Sequence, residues 1–118
     1  MKALPPLADA EDVEQVRRIC AEGRSLISGK GNRQTQRYLT EIWKVPLTRL
    51  GAAVAEHIEL KRKVFVKVDD DGQRIAGKMA ANVTLAEELD VYVEIELRGD
   101  EVVILAAHSH CTANTLPQ

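Results

Sequence analysis

From Val13 to Cys20 the apolar side chains recur at helical spacing, with Val13, Val16, Ile19 and Cys20 on one face. Asp9 stands where an N-cap belongs. Glu11 and Asp12 follow in the first turn, where the helix dipole favours acids, and Gly23 supplies a stop. Pro5 and Pro6 leave residues 1–8 as an irregular lead. Residues 24–31 hold Gly29 and Gly31 and show no period, which predicts a loop or a very short strand. Asn32 or Thr35 can open a second helix with Tyr38, Leu39 and Ile42 as its stripe. Pro46 interrupts it and fits the first turn of a third. There Leu47, Leu50, Val54 and Ile58 form the apolar stripe, and Thr48, Arg49, Glu56 and Glu59 form the wet face.

The period changes at Lys63. Val64, Val66 and Val68 alternate with Phe65 and Lys67, and Asp69-Asp70-Asp71-Gly72 then predicts a turn. Ile75, Gly77, Met79, Ala81 and Val83 alternate with Arg74, Ala76, Lys78 and Asn82. Thr84 and Glu87 have capping-box spacing, which predicts a turn or a single helical turn over 84–88. Val91, Val93, Ile95 and Leu97 alternate with Tyr92, Glu94, Glu96 and Arg98, and Gly99-Asp100 turns the chain. Residues 102–107 are apolar on both faces, which predicts a central strand covered twice. The segment 112–118 is small and polar and is expected to fray. The pattern predicts one α+β domain over residues 1–118, with three N-terminal helices packed on a four-stranded antiparallel β-meander.

Composition narrows the function classes. Sixteen Lys and Arg against 18 Asp and Glu give a formal charge of −2, which disfavours nonspecific nucleic-acid binding through counterion release. Only Tyr38, Trp43, Phe65 and Tyr92 are aromatic, too few for a platform of stacked bases. Cys20 and Cys111 form no CxxC pair, no apolar run reaches membrane-spanning length, and the first residues lack a signal-peptide core. A cytoplasmic location is expected.

Two polar groups carry candidate chemistry. In His108-Ser109-His110 the strand period puts both histidines on one face, where they could share an ion or a substrate. A metal would need a third ligand, with His57 or an acid as the candidate. The second group is basic. Lys61, Arg62 and Lys63 sit at the helix-to-strand join, and Lys67, Arg74 and Lys78 lie on strands. If the valines face the helices, Lys67, Lys78, Tyr92 and Glu94 lie on the open sheet face, and His108 can join them.

This arrangement resembles the RelE superfamily of bacterial toxin ribonucleases, and within it the MqsR-like toxins, from about Val16 to His110. Leu60 followed at Phe65-Val66-Lys67 is similar to that family's Leu-x4-Phe-Tyr-Lys. Val91-Tyr92-Val93 resembles its Tyr-bearing strand, with Tyr92 25 positions after Lys67. Residues 102–108 resemble its final strand, which ends in a cation. The resemblance implies a metal-independent, cofactor-free endoribonuclease neutralised by an antitoxin. It maps Lys67 and Tyr92 onto functional positions, with His108 replacing a terminal lysine. Glu94 stands where the family has a second Lys, and its Trp-Gln-Asp segment is absent.

In that chemistry His108 or His110 would be the acid or base, a contribution of about 10²–10⁴-fold. Lys67 would stabilise phosphate charge, Tyr92 would donate to it, and Lys61, Arg62, Lys63 and Lys78 would hold RNA. Two other readings stay open: a non-enzymatic interaction or assembly module, and a small metal-binding protein using His108 and His110. An open sheet face predicts an antitoxin, another protein partner or a second copy upon it, with RNA as a further partner and no membrane.

Overall fold

The computed structural model describes residues 4–28, 37, 41, 44, 48–86, 89–109 and 116–117, with the backbone alone for 106–109. Its elements are α1 (Ala10–Ala21), β1 (Leu26–Ile27), α2 (Thr48–Glu59), β2 (Phe65–Val68), β3 (Arg74–Ala86), β4 (Leu89–Arg98) and β5 (Glu101–Ser109). The helix expected after Asn32 and its stripe, and Leu47, fall outside the described residues.

The protein is α+β, but the sheet is five-stranded and mixed, in the order β1-β5-β4-β3-β2. The four-stranded antiparallel expectation is corrected by β1, which runs parallel to β5 with Leu26 opposite Val103 and Ile27 opposite Ile104. Two residues carry too little period to announce a strand, and their partner lies far along the chain. β5 therefore lies between β4 and β1.

One face of the sheet holds the core. Val16 and Ile19 of α1 and Leu50 and Val54 of α2 meet Ala81 and Val83 of β3, Val91, Val93 and Ile95 of β4, and Val102 and Ile104 of β5. All are buried, as is Ile58. Each such side chain removed from water contributes about 1.5–3 kcal/mol before chain entropy is counted.

Both helices end in the same way. Beyond α1, Gly23 adopts φ +73°, and the N–H groups of Gly23 and Arg24 donate to the carbonyls of Cys20 and Ile19. Beyond α2, Lys61 takes the equivalent left-handed place at φ 61°, with Lys61 N–H donating to Ile58 and Arg62 N–H to His57. These are Schellman endings, in which a left-handed residue lets two amides reach back to orphan carbonyls. Asp9 has the extended N-cap backbone, but its carboxylate does not cap the helix. It lies 3.6 Å from the Arg74 guanidinium.

One further expectation, the capping box, is corrected. Residues 4–8 of the lead lie outside any helix or strand and pair with the sheet edge: Leu7 bridges Phe65, Ala8 N–H donates to Val64 and Val66 N–H to Pro6. Edge amides of β2 need partners, and the lead supplies them. There is no capping box at Thr84, because β3 continues to Ala86 and Thr84 Oγ1 donates to Asp90 across the β3–β4 ladder at 2.8 Å. Within β3, Gly77 has φ +73°, and a Cβ there would lie 2.8 Å from the Leu97 carbonyl oxygen. The expected Asp69–Gly72 turn is present, with Asp69 Oδ1 accepting from Asp71 and Gln73 at 2.9 Å each.

Val54→Asp places an unpaired charge among these buried residues and is expected to cost more than about 4 kcal/mol, unfolding the domain. Lys61→Gly removes left-handed strain and is expected to raise stability by about 1 kcal/mol. Urea melts followed by circular dichroism check both; a stable, soluble Val54→Asp protein would show the stripe to be misassigned.

Candidate functional site: the second face of the sheet

The alternation that buries Val91, Val93 and Ile95 turns Tyr92, Glu94 and Glu96 to the opposite face. The ladders then fix the neighbours. Asn82, Tyr92 and His108 form one row across β3, β4 and β5; Phe65, Ala80, Glu94 and Ala106 form the next across β2 to β5. Lys67 follows Phe65 by two residues and shares its face.

Lys67 and Tyr92 meet here. Lys67 Nζ donates to Tyr92 Oη at 3.2 Å and lies 2.7 Å from Glu94 Oε1, while Tyr92 Oη donates to the same carboxylate oxygen at 3.2 Å. The ammonium is also 5.7 Å from the Tyr92 ring centre. The Lys67 and Glu94 side chains retain 34% and 26% of their exposure, so the pair is shielded without being dry.

Proton affinities follow from this closure. Burial pulls the Lys67 ammonium down, but the hydrogen bonds to Glu94 and Tyr92 outweigh it and hold its pKa above the usual lysine value. Burial pushes the Tyr92 phenol above its ordinary value, against the opposing effect of Lys67. Both groups keep their protons at neutral pH, so neither is suited to act as a base.

The other candidates are dispersed. His108 is the register partner of Tyr92, and only its backbone is described. His110 lies outside the described residues, as does Cys111. Lys61 is exposed at the left-handed end of α2. Arg62 Nη1 donates to Thr84 Oγ1 at 3.3 Å, and Lys63 is exposed. Lys78 stands opposite Glu96 in register. Lys78 also borders an open groove of about 320 Å³ shared with Asp9, Asp12 and Arg74, so acids interrupt the basic group.

His57, the candidate third metal ligand, is buried on α2, and its Nε2 lies 2.7 Å from the Lys63 carbonyl oxygen. That bond takes the Nε2 proton as donor and leaves Nδ1 without a partner. Among the described residues no three His, Cys, Asp or Glu side chains are grouped to hold a metal. No described helix is long and apolar enough to cross a membrane.

Sequence reasoning missed the most unusual residue of this face. Asn82 is 2% exposed, and its Nδ2 donates to the carbonyl of Leu116 at 2.7 Å. Its Oδ1 is buried with no partner. Leu116 and Pro5 line an open cleft of about 140 Å³ together with Lys67, Ala80 and Tyr92. Of the segment expected to fray, Leu116 and Pro117 are described and half-buried, and 112–115 and 118 lie outside the described residues. The available signal was an asparagine within a strand, a residue type that strands avoid.

No family model, curated protein or solved structure matches the chain.

Burial holds the His57 pKa below the usual histidine value; the Lys63 hydrogen bond opposes it, and the nearby Arg62 charge adds to it. The unfolded chain therefore binds this proton more tightly. The contribution of His57 is complete above about pH 6.5 and is lost as pH falls through the lower folded value. The urea midpoint should drop from pH 7 to pH 5, and His57→Gln, which can still donate to Lys63, should flatten that drop. An unchanged slope in the variant would assign the acid sensitivity elsewhere.

Proposed function

We propose that the chain is a non-enzymatic protein-interaction module and that the face bearing Lys67, Tyr92 and Asn82 is its binding surface. The observation that carries this reading is the Asn82 amide, which holds a backbone carbonyl against the sheet at 2.7 Å. A buried side-chain amide on a closed-packed strand face is suited to reading peptide backbone, because it offers one donor and one acceptor side by side. The electrostatics agree. Lys67 is paired with Glu94, so the cation beside Tyr92 is already balanced, whereas phosphate stabilisation asks for a free one.

A second reading, a toxin-like endoribonuclease neutralised by an antitoxin, draws on one arrangement. Lys67 reaches Tyr92, and His108 is the register partner of Tyr92. Its chemistry would ask Lys67 to leave Glu94 as phosphate arrives, and a histidine to move protons.

Inducible expression in bacteria separates the two. The interaction reading expects intact RNA and unchanged growth, and it expects Glu94→Gln, which frees Lys67, to remain harmless. RNA damage by the unmutated chain, abolished by Lys67→Ala with folding retained, would replace this reading with the ribonuclease.

A further inference from the structure

Asn82 is held at one point only. An extended peptide presents the N–H and C=O of one residue on the same side, so a carboxamide can pair with both. Leu116 supplies the carbonyl, yet Asn82 Oδ1 stays buried and unpaired. An unsatisfied buried acceptor is costly, and an occupant that also brings an N–H would recover that cost. Leu116, a wall of the cleft, thus satisfies Asn82 less fully than a peptide in full register would. The cleft lining includes the apolar Pro5, Val66, Val68 and Ala80, and its cation Lys67 is paired with Glu94.

We propose that Leu116 and Pro117 form a displaceable strap. In the exchanged state, an extended, uncharged, leucine-bearing segment of a partner protein takes their place, with its backbone paired to both the Nδ2 and the Oδ1 of Asn82. This rests on the interaction reading and names its surface and ligand class. Leu116 is the stand-in for the partner's leucine.

The test uses the full chain and a fluorescein-labelled hexapeptide with the sequence of residues 113–118, Ala-Asn-Thr-Leu-Pro-Gln. Leu116→Asp should open the cleft and bind the peptide at least tenfold more tightly than the unmutated chain. Adding Asn82→Leu should remove that gain, with thermal melts confirming folding. A second measurement needs no change to the sheet: in ¹⁵N spectra of Leu116→Asp, the Asn82 side-chain NH₂ pair should shift on peptide addition. Equal peptide binding by the unmutated and Leu116→Asp chains, or an unmoved Asn82 signal, overturns the strap. So does preferential binding of a labelled oligoribonucleotide by the opened chain. Loss of the strap with RNA still intact in cells overturns the strap alone and leaves the interaction reading to another part of the same face, whereas RNA cleavage removes both.

Discussion

Everything on the second face depends on the burial of one row of side chains. Val91, Val93 and Ile95 are each fully buried between the sheet and the two helices. A strand has a period of two, so a slip of one residue would carry all three to the other face and bring Tyr92 and Glu94 into the core. The free energy of that slip is several buried side chains, far more than any hydrogen bond among the polar residues. The location of the polar cluster is therefore a by-product of core packing, and the cluster need not stabilise itself.

That freedom shows in its electrostatics. Lys67, Tyr92 and Glu94 satisfy one another through short bonds, so the face is polar while carrying little field. A half-exposed ion pair of this kind contributes on the order of 1 kcal/mol or less to stability. Its larger effect is chemical. With Glu94 2.7 Å away, the lysine is held in its charged form and its charge is already balanced. The same pair suits a surface that must meet an uncharged partner, since no isolated charge has to be stripped of water on binding.

Strand alternation was legible in the residues from Val64 to Leu97, and it was sufficient to put Lys67, Tyr92 and Glu94 together. Helical stripes likewise found Leu50, Val54 and Ile58. What escaped was whatever depends on distant partners. β1 has two residues, and only Val103 and Ile104, far along the chain, make it a strand. The lead reads as irregular because prolines forbid a helix, yet the same extended backbone pairs with the edge of β2. Thr84 and Glu87 carry a true capping spacing, but continued pairing with β4 supplies more hydrogen bonds than one helical turn would. Asn82 was visible as a polar residue in a strand; its hydrogen-bond partner, the Leu116 carbonyl, is 34 residues away.

The parity of Lys67 is set before its strand begins. β2 follows α2 with little slack, and the join is held by Lys61 in the left-handed region and by His57 beneath it. The carbonyl of Lys63 turns inward there and needs a donor, because a buried carbonyl without one would cost as much as a lost hydrogen bond. His57 provides it from the buried side of α2, accepting in exchange an unpaired Nδ1. Lysine at position 61 accepts backbone strain that glycine would avoid. Together these two unfavourable local choices fix where the chain leaves the helix, so that Val64 and Val66 enter buried positions and Phe65 and Lys67 emerge on the far side. The polar face is thus aligned by a joint on the helical side of the sheet, and a change at His57 or Lys61 can reach Lys67 without touching it.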